Sequence, residues 1–332
     1  MAIGSGLAAS FGLKAESTFN TYAAPDAFYR INSAEVKPQK GIAESDVLAA
    51  GALQNPASYR VVTTTWGSGA AMLPVPNTKF GRILNQIFAS GGTPVQQGAT
   101  AAYLQTHTLG DNVGKFFSAQ LGVPNRAGTV VPHTGTGGKV TSAEFSCGVN
   151  EQLSCSLEFD FAAVSNSSQT LASPSYTSQI PFHFKDMTVK LGTTFGSEVS
   201  VTGIKKVSLK IERPQDVEAF YAGASGVKAE QVTNGYVAIT GTIEADYIDK
   251  TVLEDLYAAD TQTNLVWDFT KSTAIAGSYF PQLQFKVPGI FFDGDAQGVD
   301  GPGVQSTSFS FSWRYDGTNM PSALYQSTDT AL

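Results

Sequence analysis

The sequence predicts a mainly β protein made of two tandem domains, each with one flanking α-helix. Three observations predict it. Two stretches alternate apolar and polar residues without error: Leu153, Cys155, Leu157, Phe159 and Phe161 against Ser154, Ser156, Glu158 and Asp160, and Phe309, Phe311, Trp313 and Tyr315 against Ser308, Ser310, Ser312 and Arg314. Period-two alternation of this kind marks a half-buried antiparallel strand. Charged residues are only 15% of the chain, against about a quarter in ordinary globular proteins. Finally, the order of elements runs through the 332 residues twice.

The first pass begins with a strand ending in "VKPQ" (Val36–Gln39), followed by the Ala- and Gly-rich stretch Lys40–Ser58. A strand "YRVVTTTW" leads to a predicted helix at Lys79–Ala89, with Asn77 as its candidate N-cap. Leu84, Ile87 and Phe88 stand at the i, i+3, i+4 spacing of a core-facing stripe. Then come the strand "KFFSAQLGVP", a Gly-rich hairpin loop expected at "TGTGGKVTS", and the alternating strand. The second pass repeats this with "IERPQ" (Ile211–Gln215), Asp216–Asn234, "GYVAITGTI", "YFPQLQFKVP" and "STSFSFSWRYDG". Its helix is predicted at Tyr247–Ala258, with Asp246 as N-cap and Leu253, Leu256 and Tyr257 facing inward. Pro214 follows Pro38 by 176 residues and Leu253 follows Leu84 by 169, so loop lengths drift while order holds. A repeat this long points to a duplicated domain rather than a solenoid. The predicted boundaries are a first domain at 1–164 with an N-terminal arm at 1–25, a Ser-rich linker at 165–179, a second domain at 180–318 and a C-terminal tail at 319–332.

The net charge of −7 argues against a nucleic-acid-gripping protein, which needs clustered Lys and Arg. No apolar run reaches the ~20 residues of a membrane span, and the N-terminus lacks the basic and apolar regions of a signal peptide. Synthesis in the cytoplasm is the expectation. Candidate chemistry is sparse. His107, His133 and His183 are scattered without partner spacing. "TGTGGKVTS" fails as a phosphate loop, because Val140 follows Lys139 where Ser or Thr would hold the metal. Asp293, Asp295, Gln297 and Gly298 begin like a calcium loop, but its closing position is Val304. Cys147 and Cys155 read as reduced, buried thiols. No nucleophile elbow is present. No catalytic, cofactor or metal site is expected.

The stretch "GSGLAASFGLKAESTF", the strand into "VKPQ", "AMLPVPNTKFGRILNQIF" and "FSCGVNEQLSCSLEFDF" together resemble the tail tube proteins of bacteriophages with long, non-contractile tails. The resemblance extends over most of the chain, second copy included. It implies tail-tube-like β-sandwich or barrel domains, assembled into stacked rings of sixfold or pseudo-sixfold symmetry in the virion. DNA would pass through a lumen formed by one continuous barrel. It also implies partners: other copies of the chain, a tape measure protein, a tail terminator and tail-tip proteins. Two tube domains per chain would let three chains close a ring.

In that frame Ser154, Ser156, Glu158 and Asp160 are the candidate lumen-facing groups, since an acidic, hydroxyl-rich channel would not trap phosphate. Pro38, Gln39, Ile42, Leu48, Pro214, Gln215, Phe220 and Tyr221 are the candidate assembly-loop residues. These segments hold too little apolar surface to order alone. Leu84, Phe88, Leu253 and Leu256 are the candidate core of the repeated helices. The alternative reading is a virion decoration or carbohydrate-binding β-sandwich protein.

Overall fold

The computed structural model describes residues 4–48, 51, 53–251, 253–294 and 302–332. It is mainly β. The first half holds β1 (Ser10–Ala15), β2 (Ala27–Tyr29), β3 (Ser33–Glu44), β4 (Arg60–Pro74), α1 (Gly81–Phe88), β5 (Ala89–Gly91), β6 (Val95–Gln96), β7 (Tyr103–Leu109), β8 (Phe117–Pro124), β9 (Val130–Gly148), β10 (Ser154–Phe161) and β11 (Ala163–Ser165). The second holds β12 (Met187–Gly192), β13 (Val199–Ser200), β14 (Ile204–Glu212), β15 (Ala238–Asp246), α2 (Glu254–Ala258), β16 (Thr263–Thr270), β17 (Gln282–Asp293), β18 (Ser306–Trp313) and β19 (Ser322–Ser327).

Every ladder between these strands is antiparallel, and the two halves are laced in the same order. In the first, β1–β8–β9–β10–β4–β3 lie side by side. In the second, β12–β16–β17–β18–β15–β14 do the same. In each, one strand turns the corner of the sandwich. β9 pairs with β8 through its first part and with β10 through its second, and β17 divides in the same way between β16 and β18. Even a close approach recurs. Gly69 sits opposite Phe159, and Gly241 sits opposite Phe311. A Cβ on Gly69 would lie 2.8 Å from the Glu35 carbonyl oxygen, and one on Gly241 would lie 2.2 Å from that of Ser208.

The halves are joined edge to edge by β9 and β14, in register from Gly148 opposite Lys206 to Ser142 opposite Glu212. One sheet of eight strands results, in the order β3–β4–β10–β9–β14–β15–β18–β17. One of its faces is apolar: Val36, Leu157, Phe159, Phe145, Leu209, Ile243, Phe309 and Phe311 are all buried. Below it, β19 pairs with β7 on one side and β17 on the other, closing a second layer across both halves.

Several expected elements move. "VKPQ" does not end its strand: β3 runs on to Glu44 as the edge strand of the sheet, a position where proline is tolerated. "TGTGGKVTS" is not a loop but the middle of β9, where Gly135 and Gly138 make room for the Phe161 ring. By pairing position the counterpart of β8 is β16, not the "YFPQLQFKVP" strand, which corresponds to β9. The region taken as a C-terminal tail contains β19, and that taken as an N-terminal arm contains β1.

Both helices are shorter than expected, and neither predicted cap is used. Asn77 Oδ1 instead accepts from the Ile180 N–H at 2.9 Å, and Asp246 closes β15 and pairs with Lys205. The start of α1 is tied down from the far end of the chain, where Asp329 accepts the Lys79 N–H at 2.6 Å. Its end is set by Ala89, left-handed at φ 66°, whose N–H reaches the Asn85 carbonyl. Leu84 and Phe88 are fully buried, and Leu253 is buried just before α2. Leu256 is only partly buried against the core.

Candidate functional site

The polar face of the eight-stranded sheet carries a grid of hydroxyls and carboxylates set by strand register. One row crosses it as Ser33, Met72, Ser156, Glu144, Lys210, Thr240 and Ser312. The next runs Ser154, Ser146, Ser208, Thr242 and Ser310. A third holds Glu35, Ala70, Glu158, Ser142 and Glu212. Ser208 and Thr242 share a hydrogen bond of 2.8 Å. Two of the lysines on this face are neutralised in place, Lys37 by Glu35 and Lys210 by Glu212 at 2.5 Å. The Glu212 carboxylate accordingly raises the Lys210 pKa. The surface is hydroxyl-rich, with Glu144 and Glu158 exposed near its middle.

Of the four lumen candidates, Ser156 and Glu158 are exposed on this face and Ser154 is half-buried. Asp160 is a correction. It is buried at the end of β10, where Lys228 Nζ donates to both carboxylate oxygens at 2.7 and 2.8 Å and Gln231 Nε2 donates at 2.6 Å. It cannot act as an open channel carboxylate. Burial raises its pKa, against the opposing pull of Lys228 and Gln231.

The same residues correct the expectation for the second assembly segment. Asp216–Asn234 has little regular structure, yet the first half of the chain orders it. Lys139, itself buried, pairs with Glu230 at 2.7 Å and donates to the Asn112 carbonyl at 2.9 Å. Thr65 N–H donates to the Gly226 carbonyl, and Phe220 packs edge-on against Trp66 at 5.9 Å between ring centroids. Lys228 Nζ lies over both rings, 6.0 Å from Trp66 and 5.7 Å from Phe220. Gln215 is buried and donates to the Val140 carbonyl at 2.8 Å; Pro214 is half-buried, and Tyr221 remains exposed. Polar anchors, together with the Phe220–Trp66 contact, hold the segment.

The first assembly segment is different. Pro38, Gln39 and Ile42 lie within β3, and Leu48 and Leu53, beyond its end, are fully exposed. Arg213 went unnoticed in the sequence. It is buried at the end of β14 and donates to the Ile87 carbonyl in the last turn of α1 at 2.7 Å and to the Gly110 carbonyl at 2.6 Å. Burial brings its pKa down to about 10.

The remaining candidates for chemistry are structural. His107 is buried against Gln105, and burial pushes its pKa down to about 4. His183 pairs with Asp186 at the start of a single 3-10 turn. Burial pushes the Cys147 thiol up to about 12 and raises that of Cys155. Asp295, Gln297 and Gly298 lie outside the described residues, among which no cluster could hold a metal ion. No described helix is long and apolar enough to cross a membrane.

No curated protein matches the chain. Residues 6–313, nearly its whole length and both halves, match the family model described as phage tail tube protein. Such proteins are structural components of the virion that assemble with themselves and with other tail proteins. With a mainly β fold and a match that runs from residue 6 to residue 313, the chain belongs to the phage tail tube protein family.

Proposed function

We propose that this chain builds the tube of a long, non-contractile phage tail from rings of three copies, each supplying two quasi-equivalent tube domains. The observation that carries this is the β9–β14 junction. β9 corresponds to β17 and β14 to β3, so the junction inside the chain is a template for one between chains, which would start at Asp293 of β17 and run on into positions outside the described residues. The end of β17 and the outer edge of β3 are the two ends of the eight-stranded sheet. Three copies joined in this way would close a barrel and remove its exposed edges. Charge on β3 is no obstacle, because Lys37 corresponds to Lys210 on β14, which is paired on both sides.

The polar face lines the lumen in this reading, with the apolar face against the second layer. DNA then meets hydroxyls, carboxylates and lysines that are largely paired, so the duplex slides instead of being held. A tape measure protein occupies the lumen during assembly, with a terminator above and a tail-tip complex below. Electron microscopy of the purified chain is expected to show rings and tubes; a chain that stays monomeric at high concentration contradicts the reading.

The lumen assignment has its own test. Glu144→Lys with Glu158→Lys changes two exposed side chains, so tails should still assemble. DNA ejection from phage carrying the pair should slow at low salt and recover as salt rises, because added lysines engage phosphates through counterion release. Unchanged ejection at every salt concentration would place these residues outside the conduit.

A further inference from the structure

The correspondence between the halves leaves one covered surface without its counterpart. Counting from the Gly69–Phe159 and Gly241–Phe311 pairs, Thr65 corresponds to Val237 and Phe161 to Trp313. In the first half this end of the sheet is covered by the segment that follows β14, through Gly226, Phe220 and Lys228. In the second half it is open. An apolar groove of about 780 Å³ lies there, lined by Val237, Trp313, Tyr236 and Met320 among others. Tyr236 is 99% exposed, and the Trp313 Nε1–H is buried without an acceptor among the described residues.

We propose that this groove receives the segment that follows β3, from Glu44 to Arg60, of the neighbouring copy in the ring. That segment stands to β3 as 216–234 stands to β14. If the next copy's β3 continues the sheet as β14 does within the chain, this segment falls over the groove. It also carries what the groove lacks. Leu48 and Leu53 are fully exposed and supply apolar side chains. The charges are complementary with their sign reversed. The covering segment inside the chain brings Lys228 to Asp160, whereas the segment after β3 carries Glu44 and Asp46 against one Arg60, and the groove is lined by Arg213 and Arg314 against one Asp111. A carbonyl or carboxylate from the segment also satisfies Trp313 Nε1. The inference rests on the three-copy ring and names the contact that locks it.

The test is a cysteine pair, Leu48→Cys with Tyr236→Cys. Both positions are exposed, while Cys147 and Cys155 are buried and do not compete. Under mild oxidation of assembled rings, most chains should shift to covalent dimers and trimers, with neither single variant doing so. Leu48→Asp with Leu53→Asp should leave the monomer's denaturation midpoint unchanged and lower the ring population by more than about tenfold, as loss of two buried leucines implies. Rings of normal appearance that give no cross-link, or that form equally well with both aspartates, overturn the docking and leave the ring reading intact. An unmodified chain that forms no rings overturns both.

Discussion

Lys228→Met is expected to destabilise the chain by about 3–5 kcal/mol at neutral pH, because it strands the Asp160 carboxylate in a buried site. The methionine fills the aliphatic volume beneath Trp66 and Phe220, so the loss reports charge rather than packing. Asp160→Asn in the same chain should recover most of it. Asparagine is neutral and keeps the oxygen that accepts from Gln231. The pH dependence follows from sign. Burial already raises the Asp160 pKa above its ordinary 3.8, so the folded state holds a proton there more readily than the unfolded chain does. Stability from this group is present at low pH and is lost as pH rises through the folded value. Removing Lys228 lifts that value further, so the variant's deficit should shrink as pH falls toward about 4. Equilibrium denaturation of the two single variants and the double variant at several pH values checks this. A deficit in Lys228→Met that the second substitution leaves untouched would show that the pair is not what holds the 216–234 segment.

Leu84→Ala is expected to cost about 2–5 kcal/mol through the cavity it leaves in α1. Leu256→Ala in the second half should cost less, on the order of 1 kcal/mol, because that side chain is only partly buried. The asymmetry comes from the two helices themselves. α1 has eight residues and buries Ile83, Leu84, Ile87 and Phe88, whereas α2 has five and buries none within its length. Equal losses at the two positions in chemical denaturation would contradict this packing.

Much of the fold was legible because half-buried strands announce themselves. β10, β14 and β18 each alternate between one wet face and one dry one, and each was found where expected. β9 and β16 were missed for the opposite reason. β16 is buried on both faces from Thr263 to Phe269, so no alternation marks it, and the glycines within β9 look like a loop until the Phe161 ring they accommodate is seen. β3 looked finished at Gln39 because proline ends most strands, although an edge strand can carry one. The helices were visible as stripes, but their caps were not. Asn77 and Asp246 each had the right side chain near the right place, while the group that holds the start of α1, Asp329, lies 250 residues away.

The same distance hid the polar anchors. Asp160 is 68 residues from Lys228, and Lys139 is 91 from Glu230. Alternation placed Asp160 on a wet face, and only the fold brings the lysine that buries it. A hint did exist: Lys228 is a lysine within an Ala- and Gly-rich stretch of a charge-poor chain. The repeated element order could be read only in part: the strands on either side of each Ala- and Gly-rich segment and the two alternating strands correspond by pairing, whereas the counterpart of β8 was misplaced.

Cryo-electron microscopy of assembled tubes, reconstructed without imposed symmetry, tests the central claim most directly. The result expected is three chains per ring, with β17 of one copy meeting β3 of the next as β9 meets β14. Six chains per ring, or copies joined through any other edge, would contradict it.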